Sequence, residues 1–148
     1  MSSANSVILE EKKLKLELRL AQLEKNEKCQ KDFLTFVKTV WPDFIAGRHH
    51  KIIAEKLERV ARGELKRLII NMAPRHTKSE FASFLFPAWM MGQNPGMKII
   101  QATHTTELAV NFGRKTKNLI ESDEFKEVFP GVKLAADSKA SGRWDTSN

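Results

Sequence analysis

The chain has 148 residues, of which 41% are hydrophobic and 29% are charged, as expected for one soluble domain with a core rather than a disordered chain. Its 25 Lys and Arg outnumber 18 Asp and Glu, and the net charge of +7 favours polyanions over acidic proteins as partners. A basic but inert surface is the alternative. The single cysteine, Cys29, excludes an internal disulfide and a cysteine metal site, which indicates a reducing compartment.

We expect neither a signal peptide nor a membrane segment. Met1–Ile8 has no basic leader and no sustained apolar stretch. No run approaches the roughly 20 apolar residues that a membrane helix needs. The sequence therefore predicts a cytoplasmic protein without a membrane partner.

Residues 1–45 are predicted to form an N-terminal helical segment. Glu10–Gln30 is rich in Leu, Lys and Glu, which are strong helix formers. The pattern favours an ordinary amphipathic helix over a coiled coil, because it contains fewer than three clean heptads. Its leucines lie on two faces, so we expect it to pack poorly and to be the most mobile element. One stripe holds Leu9, Leu16, Leu20 and Leu23, and the opposite side holds Leu14 and Leu18.

Two further helices are predicted before residue 63. The first has an apolar face at helical spacing and is ended by Pro42. The second runs from about His49 to Arg62, with Gly63 as its C-terminal cap. The apolar face of the first consists of Phe33, Phe36, Val37, Val40 and Trp41.

Residues 46–148 are predicted to be a partial ATPase domain of the α/β class. Arg67–Ala73 and Met97–Ala102 are short apolar runs that predict buried strands. Helices are predicted from about Ser79 to Met91 and from Thr105 or Thr106 to Glu121. This order is typical of a parallel sheet with crossover helices, as in P-loop NTPases. Residues 132–148 are predicted to be extended or to form a hairpin.

The loop between the first strand and the following helix, Met72–Ser79, has the chemistry of a phosphate site. Phosphate binding needs backbone N–H groups, a helix N-terminus and a cation, and Mg²⁺ needs a hydroxyl at the start of the helix. Lys78 is predicted to reach the β- and γ-phosphates, with Arg75 as a second cation and Ser79 as the Mg²⁺ ligand. The amides of His76, Thr77, Lys78 and Ser79 would hold the β-phosphate.

The loop departs from the pattern G-x-x-x-x-G-K-[ST], because Met72 and Thr77 occupy the glycine positions. Thr77 is the more serious departure, since a β-branched residue resists the backbone angles that glycine adopts freely. A basic turn between a strand and a helix is the alternative interpretation of this segment.

The stretch Glu64–Glu80 resembles the deviant Walker A region of tailed-bacteriophage terminase large subunits, which tolerate loops of the form P-R-x-G-K-S. The resemblance covers about two-thirds of the chain. Its other pieces are Arg48-His49-His50, Phe86-Pro87-Ala88-Trp89, Gln101-Ala102-Thr103-His104, Phe129-Pro130 and Trp144-Asp145-Thr146.

The resemblance implies the ATPase part of a motor that pumps double-stranded DNA into a procapsid in the infected bacterial cytoplasm. It implies ATP and Mg²⁺ as cofactors, and portal protein, small terminase subunit and further copies of the chain as partners. By position, it places His49, His50 and Arg48 near the adenine, Arg75 near the γ-phosphate and Thr103 at a sensing position. Simpler alternatives are a capping or surface histidine pair and a helix-entry hydroxyl at Thr103.

ATP hydrolysis also needs an apolar strand that ends in Asp, with an adjacent Glu that orients water. None of the acidic residues after Lys98 has that context, and no acidic cluster suits a nuclease. We therefore expect a fragment that ends before the third core strand, binds nucleotide weakly and hydrolyses it poorly. Another P-loop enzyme, such as a helicase-like protein, and a basic DNA-binding module without catalysis stay as alternatives.

Overall fold

The computed structural model describes residues 2–135 and 143–147. Most of the described chain is helical. Its last two elements are strands of two residues each that pair antiparallel, with Lys133 opposite Ser147. The elements are α1 (Ser2–Lys31), α2 (Phe33–Val40), α3 (Arg48–Ala61), α4 (Lys78–Glu80), a π-helical turn (Phe81–Leu85), α5 (Phe86–Gln93), α6 (Thr106–Glu121), α7 (Asp123–Val128), β1 (Lys133–Leu134) and β2 (Thr146–Ser147).

The predicted α/β fold with a parallel sheet is wrong. Neither Arg67–Ala73 nor Met97–Ala102 is a strand, and the only sheet in the described residues is the β1–β2 pair. Ile69 and Ile100 are 85% and 95% exposed, whereas a central parallel strand is covered on both faces. The apolar runs have no regular secondary structure, and we call them the extended segments because alternate side chains of 68–72 pack on the core.

Local capping accounts for where several helices begin and end. The Asp32 carboxylate accepts a hydrogen bond from the Thr35 amide at 2.5 Å and starts α2. Thr105 and Ser122 cap α6 and α7 in the same way, so the helix that was predicted to begin at Thr105 or Thr106 is present. Gly63 follows α3 with a φ of +75°, which only glycine adopts without strain.

The core is a cluster of aromatic rings in which Phe33 is the centre. The Phe33 ring lies 5.6 Å from both Phe81 and Phe86 and 5.5 Å from Trp89, measured between ring centroids. Each edge-to-face or tilted pair of this kind contributes about 0.5–1.5 kcal/mol beyond burial of area. The cluster draws on both predicted domains, 1–45 and 46–148, and the boundary between them stays a prediction.

The helices Lys78–Glu80, Phe81–Leu85 and Phe86–Gln93 follow one another without a break, and we call residues 78–93 the central helix. Its π-helical turn is marked by a hydrogen bond from the Phe86 amide to the Phe81 carbonyl. Pro87 has no N–H for the Ser83 carbonyl four residues earlier, and the Gln101 side-chain amide donates to that carbonyl at 2.8 Å. This bond attaches the extended segment around Gln101 to the central helix.

No helix among the described residues has both the length and the apolar character that a membrane crossing requires.

Candidate phosphate-binding loop

The turn Pro74–Thr77 leads directly into the central helix, and two of its residues have left-handed backbone angles. Arg75 has a φ of 64° and Thr77 a φ of 57°. The first helical hydrogen bond runs from the Phe81 amide to the Thr77 carbonyl at 3.0 Å. The amides of Lys78, Ser79 and Glu80 therefore have no partner within the helix, and its dipole makes this end partly positive.

A chain of hydrogen bonds connects the start of α3 to this loop through His50. The Gly47 amide donates to His50 Nδ1 at 2.9 Å, and the Thr77 hydroxyl donates to the His76 carbonyl at 2.7 Å. His50 Nε2 lies 2.6 Å from Thr77 Oγ1. Because Nδ1 and the hydroxyl oxygen both have their roles fixed, Nε2 carries the ring hydrogen and donates it to Thr77, while His49 Nε2 lies 3.0 Å from the same nitrogen.

His50 is buried, and its surroundings disfavour the charged form of the ring. Burial lowers the pKa of His50 below its ordinary value of 6.5, and the nearby rings of His49 and His76 lower that pKa further. The ring stacks on Phe81 at 5.1 Å and meets the edge of Phe44 at 4.7 Å, between centroids. Packing and hydrogen bonds together fix the imidazole that supports Thr77.

The structure brings together most of the predicted site residues from two distant parts of the chain. His49 lies beside the loop, with its ring centroid 5.9 Å from that of His76, and His76 Nδ1 donates to the Pro74 carbonyl at 2.9 Å. Lys78 is half-buried at the first helical position, whereas Arg75 and Ser79 are exposed. These positions leave Arg75, Lys78 and Ser79 accessible to a ligand in front of the helix.

The predicted sensing residue Thr103 has a local bond that fits the simpler interpretation. Its hydroxyl donates at 2.6 Å to the carbonyl of Thr105, the residue that caps α6. A helix-entry role accounts for this contact without a ligand.

Sequence reasoning missed an acidic residue in the loop region. Glu80 lies in the first turn of the central helix and forms an ion pair with Lys115 of α6 at 2.8 Å. An acidic residue directly after the Lys-Ser pair was the available indication, since such residues favour a helix N-terminus. Within residues 2–135 and 143–147, no group of three or more His, Cys, Asp or Glu side chains could hold a metal ion.

Comparison with known protein families, curated proteins and solved structures gives no match to this chain.

Proposed function

We propose that the loop Pro74–Ser79 binds the phosphates of ATP together with Mg²⁺, in the ATP-binding part of a DNA-packaging motor of the terminase large-subunit type. The observation that carries this proposal is the position of the loop: two left-handed residues lead into a helix whose first amides have no partner in the helix. The resemblance of the sequence to terminases supplies the larger context. Phosphate binding is argued from the loop and the start of the central helix alone, because the parallel sheet of a P-loop NTPase is absent from the described residues.

The backbone contributes to binding before any side chain does. Left-handed residues in a turn bring successive N–H groups to one concave side, which attracts anions. The amides of Lys78 and Ser79 and the positive end of the helix dipole favour negative charge at the same place. A phosphate there would accept hydrogen bonds that the helix itself cannot supply.

Two cations and a hydroxyl complete the proposed site. Lys78 neutralises the β- and γ-phosphates, and Arg75, which is exposed, offers a planar group that suits two phosphate oxygens. Ser79, at the second helical position, is the proposed Mg²⁺ ligand.

The two histidines take different roles in this proposal. His50 already binds Gly47 and Thr77 and is buried against Phe81, so it positions the loop and does not contact the ligand. His49 is only half-buried and stands beside the loop, where its ring can pack on an adenine. The neighbouring Arg48 is exposed, and its side chain can contact the edge of the adenine.

The test compares two lysines by titration with a fluorescent ATP analogue and Mg²⁺. Lys78→Ala is expected to weaken binding by about one to two decades, because a charge-assisted contact contributes about 1.5–3 kcal/mol. Lys66→Ala is the matched control, because Lys66 is exposed and precedes the extended segment. Equal losses in the two variants would mean general attraction of anions, and the proposed site would be abandoned.

The competing function is a basic module that binds DNA without nucleotide. Its binding would spread over many Lys and Arg and fall steeply with salt. Binding of duplex DNA is therefore measured at two salt concentrations for the Lys78→Ala variant and for the unmodified chain. A steep salt dependence with no Mg²⁺-dependent nucleotide binding in either protein would favour the basic module.

A further inference from the structure

The N-terminal two-thirds of α1 extends away from the body of the protein. Every residue from Val7 to Lys25 is exposed. Hydrogen bonds to the body start only at Gln22, which reaches Glu127, and continue with Asn26 to the Glu127 carbonyl and Gln30 to the Val128 carbonyl. About four turns of leucine-containing helix therefore lack a packing partner in the described chain.

The exposed leucines follow a seven-residue repeat along one stripe. Leu9, Leu16 and Leu23 are seven residues apart and are 72%, 64% and 60% exposed. If they occupy the d positions of a heptad, Leu20 falls at an a position and Lys13 at the preceding a position. Four leucines thus form a narrow seam of the kind that pairs two helices, and their exposure in the structure favours a coiled coil over the ordinary amphipathic helix that the sequence pattern alone favoured.

The charges beside this seam are sorted by sign. The three e positions are all glutamates, Glu10, Glu17 and Glu24. The g positions next to them in the exposed part are basic, Lys12 and Arg19. In a parallel pair each g residue faces the e residue five positions later on the other helix, so every such contact joins opposite charges.

The same sorting disfavours an antiparallel pair. Antiparallel helices set g against g and e against e, which would place Lys12 and Arg19 of the two copies together.

We propose that α1 forms a parallel two-stranded coiled coil with α1 of a second copy of this chain. Lys12 then faces Glu17 of the second copy, and Arg19 faces Glu24. Lys13 in the seam weakens the pair and selects its register.

This dimer depends on residues that are remote from the phosphate loop, so it is independent of the proposed function. Its strength is measured by sedimentation equilibrium of the full chain over a range of concentrations. Leu16→Asp is expected to raise the dimer dissociation constant at least about tenfold, since it places a charge in the seam. Leu14→Asp is the matched control, because Leu14 is 58% exposed and lies outside the seam.

Charge reversal tests the orientation and does not alter the leucines. Arg19→Glu and Glu24→Arg should each weaken the dimer about threefold to tenfold, and the double variant should recover most of the loss. The unmodified chain staying monomeric at its highest soluble concentration would overturn the proposal. So would equal losses in Leu16→Asp and Leu14→Asp, or a double reversal that recovers nothing.

Discussion

His50 holds Thr77 in a left-handed conformation: the imidazole Nε2 donates to the Thr77 hydroxyl at 2.6 Å, where the backbone φ is 57°. A β-branched residue at such an angle costs about 1–2 kcal/mol. The bond from a buried ring, together with the bond from Thr77 to the His76 carbonyl, offsets that cost. The threonine that stands in place of glycine at this position is therefore supported by His50 of α3.

We expect Thr77→Val to lower the free energy of unfolding by about 1–2 kcal/mol, because His50 keeps its burial and its Nε2 loses the closer of its two partners, leaving only His49 Nε2 at 3.0 Å. Thr77→Gly should change stability little, since relief of the left-handed strain offsets the lost bond. Urea denaturation measures both. Thr103→Val, which removes only a local hydroxyl bond, is the control. A Thr77→Val variant as stable as the control would contradict this relationship.

Stability should fall on mild acidification because of His50. Its folded pKa is below the ordinary 6.5, so as the pH falls the unfolded chain takes up the proton first. The contribution of His50 to the free energy of unfolding is therefore completely present above about pH 6.5. It declines below that pH and levels off once the folded ring is protonated as well. Urea denaturation between pH 7.5 and pH 5 measures the decline, which should be shallower in His50→Gln. Parallel curves would show that His50 does not cause it.

The sequence was sufficient to predict the positions of the helices up to residue 121, but α7 was not predicted. Apolar spacing identified α2 and α3, and the hydroxyl of Thr105 marked the start of α6. Those features are local, because a helix satisfies its own backbone and a cap needs only neighbouring residues.

Whether the apolar segments pair into a sheet could not be predicted from the same information. In the segment 68–72 the side chains of Leu68, Ile70 and Met72 pack on the core while Ile69 is exposed, but the predicted strand is absent. An apolar run shows that a segment can be buried, but a strand also needs a hydrogen-bonding neighbour. No described segment pairs with these residues.

Hydrogen exchange should distinguish the extended segments from the core. Backbone amides of Leu68–Met72 and Lys98–Ala102 lack a strand partner and should exchange orders of magnitude faster than those of Phe36 and Val37 in α2. Mass spectrometry of peptides from these regions measures the difference. Protection in both segments as strong as in α2 would indicate a paired sheet in solution.

Glu80 should oppose the ligand that the loop is proposed to bind. Its carboxylate lies in the first turn of the central helix and binds Lys115, and both side chains are partly exposed. Glu80→Gln should lower stability by less than about 1 kcal/mol but raise ATP affinity about twofold to fivefold, because a competing negative charge is removed. Glu64→Gln, whose partners are Arg59 and Arg62, should leave affinity unchanged. Unchanged affinity in Glu80→Gln would place the anion elsewhere.

Gly92 provides a test of packing at the end of α5. A methyl group there would lie 2.6 Å from the Phe129 ring. Gly92→Ala should therefore lower the free energy of unfolding by about 1–2 kcal/mol, even though alanine favours helix. Gly131→Ala, where the added carbon meets nothing within 4 Å, is the control for thermal denaturation. Equal melting temperatures for the two variants would contradict the contact.

The sequence proposed the candidate site residues, but not the residue that supports the loop. Lys78, Ser79 and Arg75 were proposed because their order along the chain fits phosphate chemistry, and their role stays a prediction. The contact of His50 with Thr77 joins residues 27 positions apart, so no local pattern indicates it. The resemblance placed both histidines near the base; in the structure their ring centroids lie 3.8 Å apart, but His50 is buried and His49 only half-buried.

The π-helical turn Phe81–Leu85 gives the central helix one residue more per turn than an α-helix has at that place. A one-residue deletion at Ala82 would convert the turn to ordinary α-helix and leave Lys78 and Trp89 on their present faces of the helix. Elsewhere in the helix the same deletion would rotate every later side chain by about 100°. Length changes in related chains should therefore concentrate in this turn, where the helix can gain or lose a residue without repacking its two ends.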